Sequence, residues 1–123
     1  MNERQRATIL CVGRGVIGLE LLLRPGRMGA SWIGRPARRT GPQVPLRAAG
    51  ARDLALAVGT LTALWQHAPV GGWLAAGVLA DAADLTASLA AGDQLPALGR
   101  FGVPLLAGAA MVEGALLTRA LRS

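Results

Sequence analysis

The sequence predicts an all-α fold: a four-helix transmembrane bundle that forms one domain over residues 1–123, with an Arg-rich loop between helices 1 and 2. Hydrophobic residues make up 52% of the chain and charged residues only 16%, whereas soluble domains carry about 25% charged residues. Four apolar segments, each close to the roughly 20 residues that span a bilayer as a helix, are separated by Pro and Gly. The period-two alternation of strands is absent. The predicted helices cover residues 6–23, 46–66, 70–91 and 101–120.

The first segment contains Gly13, Gly15 and Gly18 in the spacing G-x-G-x-x-G, which between a strand and a helix is typical of dinucleotide binding. That fold needs further parallel strands and an acidic residue about 20 positions later, and this sequence has arginines there and no strand pattern. In membrane helices, small residues allow neighbouring backbones to approach closely. We therefore interpret the three glycines as helix-packing positions. A secretory signal peptide over residues 1–30 is disfavoured, because two charges interrupt its apolar run and no small-x-small cleavage site follows.

The other three segments are bounded by helix-breaking residues. Pro45 suits the first turn of the second helix, and the sequence His-Ala-Pro at residues 67–69 closes that helix. The third helix ends at Gly92, and the fourth begins after Pro96. Because His67 lies at a helix end, we expect it to be an interfacial residue and not a metal ligand.

Residues 24–44 are rich in Gly and Pro and are predicted to form a loop, with a short interfacial piece around Trp32 and Ile33. The loop is strongly basic in a chain of net charge +6, which indicates an anionic partner. Nucleic-acid modules add aromatic stacking platforms, and only Trp32 lies among these arginines, so lipid headgroups are favoured and nucleic acid is not expected. The predicted headgroup contacts are Arg24, Arg27, Arg35, Arg38 and Arg39.

The positive-inside rule predicts how the bundle is oriented. Seven arginines lie in the 24–50 and 92–100 loops, and four lie at the opposite end of the bundle, around the start of the first helix and the end of the last. Cytoplasmic loops carry the excess of Lys and Arg. The sequence thus predicts a multi-pass protein of the plasma membrane with the 24–50 loop in the cytoplasm.

Ionisable residues inside the predicted helices are the distinctive feature of the sequence. Each charge at the bilayer centre costs about 2.5–3.5 kcal/mol on the insertion scale, so these side chains should face the bundle interior and pair with one another. Two interpretations stay open: a purely structural charge network, or a site that handles protons or a ligand. The candidate residues are Arg14, Glu20, Arg52, Asp53, Asp81, Asp84 and Glu113.

Within this set, Arg52 and Asp53 are adjacent on one helix and point about 100° apart. We expect them to reach different neighbours, with Arg52 pairing with an acid of the third or fourth helix and Asp53 with an arginine such as Arg14. Asp81 and Asp84 lie three residues apart on one helical face and are predicted to share a proton. The alternative is that arginines of the first two helices neutralise both carboxylates.

Two stretches resemble a known group of proteins. Residues 47–64, RAAGARDLALAVGTLTAL, and residues 73–85, WLAAGVLADAADL, are similar to an uncharacterised family of small four-helix bacterial membrane proteins, a domain of unknown function with a Gly-x-Arg-Asp-Leu-Ala-Leu core and a later Asp-Ala-x-Asp pair. GRGVIGLELLLRP and the Trp-Ile-Gly at residues 32–34 fit the same pattern, and Ala57 departs from it, where Gly is expected. The resemblance implies a multi-pass bacterial membrane protein and carries no activity.

The sequence leaves three classes of function. The first is a structural membrane protein held together by paired charges, and the second is a proton-coupled small-molecule transporter that uses intramembrane carboxylates. Small multidrug exporters have this size and helix count, with an acidic residue in the first helix as Glu20 is here, but the chain has no Tyr to bind cationic drugs. The third, least favoured, class is a soluble helical protein with an apolar ligand cavity.

Neither an enzyme nor a cofactor-binding protein is expected. The lone Cys11 excludes an internal disulfide and a Cys-based zinc site, and no catalytic motif is present. The expected partners are membrane lipids, and self-association into a homo-oligomer is compatible with the sequence.

Overall fold

The computed structural model describes residues 1–122, and all regular structure in that part of the chain is helical. The α-helices are α1 (Glu3–Leu23), α2 (Pro25–Ile33), α3 (Thr40–Trp65), α4 (Gly71–Ala91) and α5 (Val103–Ala120). Two 3-10 turns, Arg35–Arg38 and Gly92–Gln94, and a π-helical turn, Leu98–Gly102, lie between them. The all-α class is confirmed, with five α-helices where four were predicted.

The ends of α1 follow from local chemistry. The Asn2 side chain accepts a hydrogen bond from the Gln5 backbone N–H at 2.9 Å, and the Gln5 side chain accepts one from the Asn2 N–H at 3.0 Å. This reciprocal capping box satisfies two amides that would otherwise lack partners. At the other end, Arg24 alone separates α1 from α2, and Pro25 occupies the first turn of α2.

The prediction of a loop over residues 24–44 is wrong for most of that segment, because α2, a 3-10 turn and the start of α3 occupy it. Its prolines do not break helices: Pro25 and Pro42 stand in first turns, where the backbone N–H has no helical partner. Pro45 lies inside α3, so α3 begins at Thr40 and not at residue 46. Gly29 lets α2 lie against Ala37, whose Cβ would be 3.2 Å from a Cβ at that position.

The long helices alternate in direction and pack as two pairs, α1 with α3 and α4 with α5, with sparser contact between the pairs. The backbones of α1 and α3 touch at two glycines: a Cβ on Gly18 would lie 2.7 Å from the Gly50 carbonyl oxygen, and a Cβ on Gly50 would lie 2.6 Å from that of Gly18. Gly15 faces Ala57, so it also packs against α3. Gly13 is not a packing position, because a Cβ there would meet nothing within 4 Å.

Buried apolar residues form two clusters, one at each end of the bundle. Ala7, Leu64, Leu74 and Leu117 belong to the cluster near the N-terminus of α1. The cluster of Leu21, Ala37 and Leu46 lies at the opposite end, under α2. Between the two clusters lie the small buried residues Cys11, Ala57, Ala80 and Ala107 and the polar side chains described next.

Candidate functional site: a buried Arg/Asp cluster beside a cavity

The centre of the bundle holds a bidentate ion pair between α1 and α4. Arg14 Nη1 and Nη2 donate to Asp81 Oδ1 and Oδ2 at 2.9 and 2.6 Å, and only 9% of each side chain is exposed. One turn before Asp81, a Cβ on Gly77 would lie 3.2 Å from Arg14 Nη2. Gly77 therefore leaves the room that the guanidinium occupies.

A second bidentate pair joins α3 to α4. Arg52 Nη1 and Nη2 donate to Asp84 Oδ1 and Oδ2 at 3.1 and 2.8 Å. Asp81 and Asp84 thus each pair with their own arginine. This agrees with the alternative interpretation, in which arginines neutralise both carboxylates, and does not support a proton shared between the two. Paired with separate guanidiniums, the two carboxylates are neutralised by α1 and α3.

Asp53 connects the two pairs. Its Oδ1 accepts hydrogen bonds from Arg52 Nε and Nη2 at 3.1 Å and lies 3.6 Å from Arg14 Nη1. The contact with Arg14 has the geometry expected from the sequence. The expectation that Arg52 and Asp53 do not bond each other is wrong. The arginine side chain is long enough for Nη1 and Nη2 to donate to Asp84 while Nε and Nη2 donate to Asp53.

The cluster carries more negative than positive charge. It contains two guanidiniums, Arg14 and Arg52, and three carboxylates, Asp53, Asp81 and Asp84. With every group ionised, the net charge is therefore −1. Within residues 1–122, the hydrogen bonds to Asp53 all go to Oδ1 and none to Oδ2.

Glu113 lies outside this cluster and forms a bridge of its own. Arg6 Nε and Nη2 donate to its two carboxylate oxygens at 2.8 and 2.7 Å, joining α1 to α5. About a third of each side chain is exposed. Arg6, in the first turn of α1, was not among the predicted network residues.

Glu20 is not brought into the cluster either. Its carboxylate lies 3.9 Å from Arg24 Nη1, one helical turn away, and 58% of the Arg24 side chain is exposed. An exposed pair at this distance contributes little. The apolar run around Glu20 predicts burial, but such a run does not show which face of the helix the residue occupies.

The predicted headgroup residues gather at one end of the bundle. They lie in α2 and around the following 3-10 turn, and all are exposed: Arg24, Arg27, Arg35, Arg38 and Arg39. Arg47, at the same end, donates to the carbonyl of Leu22. At the other end, Arg4 donates to the carbonyl of Leu64. Each helix of the α1–α3 pair thus supplies an arginine to the C-terminal carbonyls of its partner, a favourable position for a cation.

A cavity of about 480 Å³ lies beside the Arg/Asp cluster, between α1, α2 and α5. Four polar residues form its charged wall: Arg14, Asp53, Asp81 and Asp84. The other walls are mainly apolar. Trp32, on α2, lines the cavity and donates through Nε1 to Ser88 Oγ of α4 at 3.0 Å. Sequence reasoning missed this role of Trp32, which it placed in an interfacial loop.

Metal binding finds no support in the described geometry. Over residues 1–122, no group of three or more His, Cys, Asp or Glu side chains is arranged to hold an ion. Cys11 is buried, and His67 is exposed where the chain turns from α3 to α4 with a φ of 54°. What the cluster offers chemically is fixed charge next to an apolar space.

Comparison with protein-family models, curated proteins and solved structures gives no significant match. The resemblance of residues 47–64 and 73–85 to a family of unknown function therefore stays a prediction.

Proposed function

We propose that the chain is a small multi-pass integral membrane protein in which α1, α3, α4 and α5 span the bilayer and the buried Arg/Asp cluster, together with the Arg6–Glu113 bridge, holds the two helix pairs together. The observation that carries this proposal is an inverted distribution of polarity. Asp53 and Asp81 are 7% and 6% exposed, whereas Trp65, Leu79 and Leu105 are 82%, 72% and 76% exposed. Soluble proteins place charges outside and rarely expose contiguous apolar surface.

Two helical segments support the proposal by length and composition. Gly71–Gln94 and Leu98–Ala120 are long and apolar enough to cross a membrane. Core helices of soluble proteins can be as long and as apolar, but they are mostly buried. In these two segments, only 28% and 17% of the most apolar 18-residue stretch is buried. In α1 and α3, the charges that lower the mean hydropathy include Arg14, Arg52 and Asp53, which are engaged inside the bundle.

Extraction and labelling test this assignment. We expect the protein to stay in the membrane fraction after an alkaline carbonate wash and to require detergent for purification. In a Cys11→Ser background, a cysteine at Leu105 should be protected from a water-soluble maleimide in intact membranes, while one at Arg38 should react. Release by carbonate, or equal labelling of the two positions, would contradict the membrane assignment and favour a soluble protein with an apolar cavity.

The exposed arginines at the α2 end support a location and an orientation. This end carries seven arginines and the opposite end four, so the positive-inside rule places it in the cytoplasm, against the anionic headgroups of the plasma membrane. Vesicle binding tests the headgroup contact: neutralising Arg35, Arg38 and Arg39 together should weaken the preference of the protein for anionic over zwitterionic lipid.

Proton-coupled transport is the second candidate function. It is favoured by one observation: three aspartates and a single arginine line a cavity halfway along the helices. Reconstituted liposomes with an internal pH dye test it, since a transporter should move protons when substrate is added and Asp53→Asn should abolish the signal. A structural network gives no such signal in either protein.

A further inference from the structure

The cavity beside the Arg/Asp cluster combines apolar walls with an unbalanced charge. Its volume of about 480 Å³ lies within the roughly 300–1,000 Å³ of small-molecule sites. Ile17, Leu21, Met28 and Leu106 are among its apolar lining residues. Such walls suit the hydrocarbon body of a ligand and offer nothing to a hydrated inorganic ion.

The charged wall determines which sign of ligand the cavity can take. Asp81 and Asp84 each use both carboxylate oxygens on an arginine. Asp53 uses only Oδ1 and leaves Oδ2 without a hydrogen bond from any described residue. The other ion pairs, Arg6–Glu113 and Arg24–Glu20, are each balanced, so the surplus negative charge belongs to the wall of the cavity.

The route into the cavity is lateral. The opening lies between α1 and α5, which contact each other sparsely. Two residues that line the cavity at this opening, Ile9 and Leu106, are 60% and 58% exposed. In the proposed membrane bundle, this gap faces lipid. A molecule with an apolar body and one positive charge dissolves in the bilayer surface and reaches such a gap without crossing water.

We propose that the cavity is a binding site for small organic monocations, such as hydrophobic amines and quaternary ammonium compounds, with the apolar body between α1, α2 and α5 and the positive charge against Asp53. This inference rests on the proposed membrane bundle. A cation there brings the net charge of the cluster to zero, which neither a neutral nor an anionic molecule of the same shape does. The interaction is strong because the charges are shielded from water.

Three probes with one benzyl body test the charge selectivity: benzyltrimethylammonium, benzyl alcohol and phenylmethanesulfonate. Their binding is measured by isothermal titration calorimetry on the full chain in zwitterionic nanodiscs, which removes attraction to anionic lipid. We expect the cation to bind about tenfold or more tightly than the alcohol and the sulfonate to give no heat of binding. Equal affinity for the cation and the alcohol, or a preference for the sulfonate, would overturn the proposal.

Two variants with matched controls locate the site. Asp53→Asn keeps the size of the side chain and brings the cluster to zero charge, so it should cost the cation about tenfold in affinity, while Asp93→Asn at an exposed turn should leave it unchanged. Gly13→Leu places a side chain in open space at the cavity wall, and Gly108→Leu does the same on α5 away from the cavity.

Leucine favours helix more than glycine, so both Leu variants should fold, and Gly13→Leu decides the question even if Asp53→Asn does not fold. Loss of binding in Gly13→Leu but not in Gly108→Leu supports the proposal, and unchanged binding in a folded Gly13→Leu protein overturns it. The carbonate wash distinguishes failure of the membrane proposal from failure of the cation-site proposal. A protein that stays in the membrane but binds no cation contradicts only the cation site.

Discussion

Replacing Arg14 by Met should unfold the bundle far more readily than replacing its partner Asp81 by Asn. The two side chains form the most buried ion pair among residues 1–122, with 9% exposure each and donor–acceptor distances of 2.9 and 2.6 Å. A simple pair would suffer equally from the loss of either member. The cluster is not a simple pair, because its net charge is already −1.

The magnitude follows from the charge that each change leaves behind. Arg14→Met removes one of the two cations and changes the net charge of the cluster from −1 to −2. Asp81 then has no arginine partner, and Asp53 contacts only Arg52. Breaking a buried pair in this way costs about 3–5 kcal/mol. Asp81→Asn brings the cluster to zero, keeps one acceptor for the guanidinium and leaves Arg14 beside Asp53, so we expect a loss of about 1–2 kcal/mol.

Unfolding in mixed micelles with increasing SDS, followed by circular dichroism, measures both free energies. The exposed pair serves as the control, because Arg24→Met and Glu20→Gln should each change stability by less than about 1 kcal/mol. The double variant of Arg14 and Asp81 restores a net charge of −1 and should be more stable than the sum of the single changes predicts. If Asp81→Asn lowers the free energy of unfolding as much as Arg14→Met does, the cluster does not carry an excess negative charge and the reasoning is refuted.

Three further predictions concern packing, anchoring and orientation. Gly18→Leu should prevent folding, because a Cβ there would lie 2.7 Å from a backbone oxygen of α3, while Gly13→Leu, with open space around it, should give a normal detergent-solubilised yield. Arg52→Ala should lower the yield of folded protein several-fold by leaving buried carboxylates unpaired. Arg38→Ala, at an exposed position, should leave the yield unchanged. Equal gel-filtration profiles for the two variants would contradict the anchoring role of Arg52. For the proposed membrane bundle, the positive-inside rule predicts an external C-terminus, so a C-terminal alkaline phosphatase fusion should be active and a C-terminal fluorescent-protein fusion dark.

The sequence predicted the ends of the four long helices to within one residue but placed the start of α3 at residue 46 instead of Thr40. Gly92, with a φ of 53°, ends α4, and the predicted range 70–91 differs from the observed Gly71–Ala91 by one residue. Proline is ambiguous, because it breaks a helix interior but also begins one. Pro25 begins α2, and only the packing of α2 onto the rest of the bundle decides between these roles.

The members of the central charge cluster could be predicted, but their connections could not. A charged residue in the middle of an apolar helix is costly, so Arg14, Asp53 and Asp81 stand out from the sequence alone. Which arginine meets which carboxylate depends on the rotation of each helix and on the reach of a flexible side chain. Arg52 bonds to both its neighbour Asp53 and the distant Asp84, and helical geometry by itself argued against the first of these bonds.

The division of the bundle into two helix pairs explains why the charges are where they are. Within a pair, backbones come into close contact, as Gly18 does with Gly50, and in the proposed membrane bundle such contact provides the van der Waals packing that drives helix association in lipid. Between the pairs the packing is sparse and a cavity intervenes, so apolar contacts there specify neither rotation nor register. The ion pairs Arg14–Asp81, Arg52–Asp84 and Arg6–Glu113 all cross this boundary, and each has fixed bidentate geometry. They therefore select one arrangement of the two pairs, and the same boundary leaves the space in which a cation can be held.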